Sequence, residues 1–102
     1  MIDDFVTHRL ELENLCQRMA VSRLEVFGSA ATGPFRDSES DIDLLVEFES
    51  PEAPGYADRY FGLLEALETM FGRPVDLVVA SAIENPFFRD AVQLSKVLLY
   101  AA

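Results

Sequence analysis

The chain has 102 residues, half of them hydrophobic, and its 18 acidic and 8 basic side chains give a formal net charge of −10 at pH 7. This length accommodates one domain, so residues 1–102 are expected to fold as a single unit. The hydrophobic content excludes an intrinsically disordered chain. The acidic excess argues against direct binding of nucleic acid, because such a binder needs a basic surface to meet the phosphates.

The cysteine content and the charge distribution indicate a cytoplasmic protein. A single cysteine, Cys16, allows no internal disulfide and lies on the apolar stripe of a predicted helix, where we expect it to be buried. The longest uncharged stretch, residues 26–35, is far shorter than the roughly 18 residues that span a bilayer. Asp3 and Asp4 stand where an export signal would carry lysines. We therefore expect no membrane segment and no export.

Helical and strand patterns alternate along the chain, separated by glycine and proline. Apolar spacing near 3.6 residues indicates the helices, and short apolar runs indicate the strands. Asn85 followed by Pro86 is typical of a helix start. The predicted elements are a helix at 3–20, strands at 24–27 and 42–48, a helix at 57–71, a strand at 75–80, a helix from Asn85 to about Leu94, and an edge strand at 97–100. This order predicts an α/β (α+β) fold with a single mixed sheet of three to four strands packed by helices.

A small-residue turn follows the first predicted strand. Gly28 lets a backbone approach closely, and Ser29 offers a hydroxyl and an N–H group, which together suit phosphate oxygens. The turn is not a P-loop, because Gly33 is followed by Pro34 and Phe35 and not by the required Lys and Ser or Thr.

Three aspartates are candidate metal ligands. Asp41 and Asp43 are two positions apart, so in a strand both carboxylates project from one face. Asp76 interrupts an apolar run, where a buried and unpaired carboxylate would cost several kcal/mol. If the strand of Asp76 lies beside that of Asp43, the three carboxylates can hold two divalent cations, and hard oxygen ligands favour Mg²⁺ or Mn²⁺.

A solvated acidic loop is the simpler alternative for the Asp-x-Asp pair. Residues 37–52 hold seven acids and no base, so the pairing alone could arise by chance. The combination of a glycine-serine turn, an Asp-x-Asp before an apolar strand and a third Asp in a later strand favours a site.

These residues resemble the signature of the nucleotidyltransferase superfamily of DNA polymerase β: a Gly-Ser turn, an Asp-x-Asp and a third Asp on a neighbouring strand. They are Gly28, Ser29, Asp41, Asp43 and Asp76. The short chain and the phrases SDIDLLVEF and VDLV are similar to the minimal nucleotidyltransferases. Those single-domain members are commonly encoded beside a helical HEPN protein as antitoxin and toxin. The resemblance implies a polymerase β-like nucleotidyltransferase fold.

The resemblance also implies an enzyme and a role for each residue. Asp41 and Asp43 would bridge two Mg²⁺ ions, Asp76 would ligate one of them and help deprotonate the acceptor, and Gly28 and Ser29 would grip the nucleoside triphosphate. The implied reaction transfers AMP from ATP to a hydroxyl, expected to be a tyrosine, of a HEPN ribonuclease toxin, which it silences.

One departure from the family pattern affects the nucleotide site. Thr32 stands where many relatives carry arginine, so Arg36 is the predicted substitute contact to phosphate. Because the sequence is expected to form a single domain, we also expect no second domain of the kind that covers the nucleotide in larger transferases. The cleft is then open unless a partner, in a homo- or hetero-oligomer, closes it.

Two other function classes remain open at this stage. The same fold can act as a binding module that neutralises a partner by contact, with weak or absent catalysis. A phosphoacceptor receiver domain is disfavoured, because the first strand ends in Gly28-Ser29 and not in acidic residues, and Lys96 follows only a helix-like segment.

Overall fold

The computed structural model of the protein describes residues 2–28 and 41–102. In these ranges it contains four α-helices and four strands. In chain order they are α1 (Ile2–Thr7), α2 (Arg9–Arg18), β1 (Val21–Phe27), β2 (Ile42–Phe48), α3 (Tyr56–Phe71), β3 (Val75–Val79), a 3-10 turn (Ala80–Ala82), α4 (Pro86–Ser95) and β4 (Val97–Ala101). Over the same ranges, no helix combines the length and apolar character that crossing a bilayer requires.

The strands form one mixed sheet in the order β3-β2-β1-β4. β1 runs antiparallel to both β2 and β4, whereas β2 and β3 are parallel. A parallel pair needs a crossover connection, and α3 provides it between β2 and β3. The predicted single mixed sheet packed by helices is confirmed, with β4 at its edge.

The main core lies on the face of the sheet that α2 and α3 cover. Side chains alternate between the two faces of a strand, so every second residue of β2 points into this core, as do Val21, Leu24 and Val26 of β1, where an irregularity between Val21 and Arg23 shifts the alternation. Its fully buried members include Leu15, Cys16, Leu24, Val26, Ile42, Leu44, Val46, Leu63 and Leu67. A smaller cluster of Phe27, Leu45 and Val92 lies on the opposite face, under α4.

The first predicted helix, at 3–20, is two helices. His8 leaves the helical region with φ −97° and ψ 17°, and α2 begins after it. The ring of His8 packs edge to face on the ring of Phe71, with 5.5 Å between the ring centroids. The ring of Phe5 also packs on that of Phe71, with 5.1 Å between the centroids. Phe5, on α1, and His8, just before α2, thus both pack on the end of α3. The spacing of apolar residues in the sequence does not indicate this packing.

Other boundaries follow the sequence more closely. The Asn85 side chain accepts hydrogen bonds from the N–H groups of Phe87 and Phe88, which confirms the predicted start of α4. β1 begins three residues before the predicted position, because Val21 pairs with Phe48 across the sheet. That pairing partner lies 27 positions away in the chain.

Cys16 is expected to be unreactive while the protein is folded. It is 0% exposed, and burial raises the pKa of its thiol to about 12. Because the thiolate is the reacting form, Ellman's reagent at about pH 8 should leave the native protein unmodified over minutes and titrate the single thiol after urea unfolding. Equal rates with and without urea would contradict this packing.

Candidate active site

Two of the predicted aspartates face each other across neighbouring strands. Asp43 on β2 and Asp76 on β3 are register partners in the parallel pair, and Asp43 is also the partner of Phe27 on β1. Asp76, Asp43 and Phe27 therefore form a row across three adjacent strands. The expectation that the third strand lies beside the second is confirmed.

The side chains of this row point to the face that α4 covers. Leu45 and Val78 pack with Phe27 in the smaller cluster, and they lie two positions after Asp43 and Asp76 respectively. Because side chains two apart share a face, both carboxylates belong to the same face as Phe27. Both carboxylates are thus brought together on one side of the sheet.

The register that pairs these aspartates is held at the start of both strands. The N–H of Ile42 donates to the carbonyl of Pro74 at 3.0 Å, one residue before the pair. α3 holds β3 by two further bonds: the Val75 N–H donates to Glu68 Oε2 at 3.0 Å, and the Tyr60 hydroxyl donates to the Leu77 carbonyl. The edge strand that carries Asp76 is therefore fixed on both sides of that residue.

Asp43 carries the strongest electrostatic perturbation in the row. Partial burial raises its pKa, and the negative charges of Asp76 and Asp41 raise it further. Ionisation of Asp43 in the metal-free protein is thus less favourable than that of a solvated aspartate. A divalent cation placed among these carboxylates would reverse that effect, because it stabilises the ionised form.

Asp76 differs from its expected environment. The sequence predicted a buried carboxylate in need of a partner, but Asp76 is exposed in the structure because β3 is an edge strand. Asp41 is also exposed and lies one residue before β2 begins. The half-buried Asp43 is therefore the inner member of the three, and the other two face solvent.

Gly28 lies beside the Asp43 carboxylate. It follows the last residue of β1 with φ +71°, a left-handed conformation that glycine adopts without steric cost. A Cβ atom on this residue would lie 2.7 Å from Asp43 Oδ2, closer than non-bonded atoms approach. The predicted glycine turn and the Asp-x-Asp pair are therefore adjacent.

Two residues of this region were not predicted from the sequence. The Ser95 hydroxyl, at the end of α4, accepts the Gly28 N–H at 3.2 Å. Glu25 is 5% exposed and lies between Arg23 and Lys96. An acid within an apolar strand was the signal used for Asp76, and the same signal at Glu25 could have identified it.

Ser29, Thr32 and Arg36 lie outside the described residues. The predicted nucleotide contacts of Ser29 and Arg36 therefore stay predictions.

The described carboxylates suit a metal ion that binds together with a substrate. Within residues 2–28 and 41–102, no three His, Cys, Asp or Glu side chains are grouped so that they could hold a metal ion by themselves. Mg²⁺ commonly takes only one or two protein carboxylates and completes its shell with substrate phosphates and water. The oxygen donors of this row fit that mode of binding, and the cluster for two cations stays a prediction.

Comparison with known proteins decides the family. The family model described as nucleotidyltransferase domain matches residues 10–99. The chain belongs to the nucleotidyltransferase domain family. This match covers most of the chain and includes the aspartate row and Gly28, so the sequence-based expectation of a nucleotidyltransferase is confirmed.

Individual relatives agree with this assignment. This nucleotidyltransferase is 37% identical over 78 residues to the protein adenylyltransferase MntA of Thermococcus cleftensis, covering 76% of this chain and 72% of that protein. A solved structure described as a "putative minimal nucleotidyltransferase" has 34% identity and a TM-score of 0.71, covering 89% of this chain and 88% of the other. The fold and the resemblance to minimal nucleotidyltransferases are thus confirmed.

A more distant structure shares the fold. It is a chain of a complex described as a tri-AMPylated Shewanella oneidensis HEPN toxin with an MNT antitoxin. The identity is 16%, the TM-score is 0.64, and the match covers 96% of this nucleotidyltransferase and 73% of that chain.

Proposed function

We propose that this nucleotidyltransferase is a Mg²⁺-dependent protein adenylyltransferase and antitoxin, which transfers AMP from ATP to a tyrosine hydroxyl of a HEPN-type toxin. The observation that supports it most strongly is the contact of Gly28 with Asp43, whose register partner is Asp76. This contact puts a backbone suited to phosphate beside carboxylates suited to a cation.

The proposed reaction is a displacement at phosphorus. An acceptor hydroxyl oxygen forms a bond to the α-phosphorus of ATP, the bond from that phosphorus to the oxygen bridging the β-phosphate breaks, and pyrophosphate leaves. Asp41, Asp43 and Asp76, together with the phosphates of ATP, would hold two Mg²⁺ ions, whose charge would stabilise the attacking and departing oxygens.

The chain's own residues would orient the reactants. We assign the proton of the acceptor hydroxyl to Asp76, because it is an exposed carboxylate in the row. Gly28 lets a phosphate lie close to the backbone, and Ser29 and Arg36 complete the proposed nucleotide contacts. Positioning and electrostatic stabilisation therefore supply most of the catalysis.

The proposed partner follows from the shared fold and from exposed apolar side chains. The Shewanella complex described above joins a HEPN toxin to an MNT antitoxin. On α4 of this protein, Phe87 is 85% exposed and Leu94 is 90% exposed, and their spacing of seven puts them on one helix face. Their neighbour Phe88 packs on Phe27, which adjoins Asp43 in the sheet. α4 therefore offers exposed apolar side chains to a helical partner on the side of the sheet that carries the carboxylates.

Transfer of label tests the proposal. The protein is incubated with Mg²⁺, a HEPN-type protein from the same genome, and ATP labelled at either the α- or the γ-phosphate. We expect label on the partner only from α-labelled ATP, complete loss of transfer with EDTA, and a modified tyrosine by mass spectrometry.

Two results would contradict the proposal. Label from the γ-phosphate would indicate phosphoryl transfer. Neutralisation of the partner's ribonuclease without any label would favour the binding module over the enzyme.

A further inference from the structure

We propose that Ser95 is a positioning residue of the nucleotide site, which holds the Gly28 amide against the Asp43 carboxylate. The inference rests on the proposed function, in which Gly28 contacts the phosphates of ATP. Ser95 and Gly28 are 67 positions apart in the chain and meet only because α4 packs on the sheet.

The Ser95 hydroxyl is oriented for this contact. It accepts the Gly28 N–H at 3.2 Å and donates to the carbonyl of Ala91, one helical turn earlier, at 3.3 Å. Because the hydroxyl proton points to the helix, a lone pair is directed at Gly28. The last turn of α4 thereby provides a hydrogen-bond acceptor at the end of β1.

The last turn of α4 is itself anchored on both sides of Ser95. Val92, three residues earlier, is buried with Phe27 and Leu45. Lys96, the next residue, places its Nζ 3.5 Å from Glu25 Oε2. These two contacts fix the position of the Ser95 backbone relative to the sheet.

The Lys96 anchor lies in a shielded environment. Glu25 is on β1 three residues before Gly28, and its other oxygen lies 3.3 Å from Arg23 Nε. Because the Glu25 side chain is only 6% exposed, solvent screens this ion pair weakly. β1 therefore carries Glu25, which binds Lys96 after α4, and leads directly into Gly28, which α4 contacts through Ser95.

The position of Gly28 matters because its contact with Asp43 leaves little room. A Cβ atom added to Gly28 would lie 2.7 Å from Asp43 Oδ2, so only a residue without a side chain fits beside the carboxylate. Loss of the bond to Ser95 removes one of the contacts that position the Gly28 amide, and a shift of that amide changes where a phosphate lies relative to the carboxylates. The expected consequence is weaker nucleotide binding.

The test measures binding of Mg²⁺ with α,β-methylene-ATP, an analogue whose α-β linkage cannot be cleaved, by isothermal titration calorimetry. Ser95→Ala should raise the dissociation constant about three- to tenfold, the effect expected for one hydrogen bond. Ser95→Thr keeps the hydroxyl and should restore binding. Ser22→Ala is the matched control, because Ser22 Oγ donates to the Glu47 carbonyl at 3.2 Å near the other end of β1.

Hydrogen exchange at the Gly28 amide, followed by NMR, gives a second readout that needs no nucleotide. Exchange should accelerate in Ser95→Ala and stay at the native rate in Ser22→Ala. Unchanged Gly28 exchange in Ser95→Ala would overturn the contact, and an unchanged dissociation constant would overturn its role in binding. Equal weakening of binding by Ser95→Ala and Ser22→Ala would also overturn it, because general loosening would then explain the effect.

Failure of the proposed function gives a different pattern. If the unmodified protein binds no Mg²⁺-nucleotide, the proposed function fails, whereas the exchange rate at Gly28 still decides whether Ser95 holds that amide.

Discussion

Asp43→Asn is expected to lower the rate of AMP transfer by at least about 10³-fold. Asp43 is the half-buried member of the carboxylate row, with Asp76 as its register partner and Asp41 close enough to raise its pKa. A catalytic metal contributes several kcal/mol of transition-state stabilisation, and each factor of ten in rate corresponds to about 1.4 kcal/mol. Loss of one charged ligand at the centre of the row should remove most of that contribution. The loss is measured by comparing the rates of label transfer of the variant and the unmodified protein at saturating ATP.

The same variant should not lose stability. The pKa of Asp43 is raised in the folded protein, so its protonated form favours folding and its carboxylate opposes it. The stability of the metal-free protein should therefore fall as pH rises through the folded-state pKa of Asp43. Asparagine cannot ionise, so near neutral pH and in EDTA Asp43→Asn should melt at the same or a higher temperature than the unmodified protein.

The matched control for this variant is Asp58→Asn. Asp58 is exposed in the first turn of α3, which packs on the opposite face of the sheet. Asp58→Asn should leave the rate of label transfer unchanged. Substantial transfer by Asp43→Asn, or an equal loss in Asp58→Asn, would show that the row does not perform the reaction.

Gly28→Ala is expected to lower activity by about 10²-fold or more. Alanine adds a Cβ that would lie 2.7 Å from Asp43 Oδ2, so either the turn or the carboxylate must move. A shift of about 1 Å in a catalytic group can cost about 10²-fold in rate. Alanine also strains the backbone at φ +71°, which should cost about 1–2 kcal/mol of unfolding free energy.

Gly72→Ala separates these two effects. Gly72 ends α3 with φ +67°, so alanine meets the same backbone strain, but no atom lies within 4 Å of the added Cβ. Urea denaturation should show similar losses of stability in both variants, whereas only Gly28→Ala should lose label transfer. If both variants lose activity in proportion to stability, contact between Gly28 and Asp43 has no catalytic role.

Local signals were sufficient to locate most elements. Apolar runs located β2 and β3, and Asn85 with Pro86 located the start of α4. The break at His8 was not predicted, and there the His8 ring packs against Phe71, which is 63 positions away in the chain. Local periodicity carries no information on such a partner.

Burial was less predictable than secondary structure. Asp76 and Glu25 both lie within apolar strands, yet Asp76 is exposed and Glu25 is buried. The difference arises from strand order, because β3 is at the edge of the sheet whereas β1 lies between β2 and β4. A strand's neighbours are set by pairing across the whole chain, so no window of sequence contains them.

The order of residues alone was enough to identify the family to which the chain belongs, and it predicts a turn suited to phosphate and oxygen ligands for a divalent cation. Parallel pairing of β2 with β3 makes Asp43 and Asp76 neighbours, and the packing of α4 brings Ser95 to Gly28. Both arrangements depend on which elements pack together, since hydrogen bonds between strands and burial of apolar faces join residues that are distant in the chain.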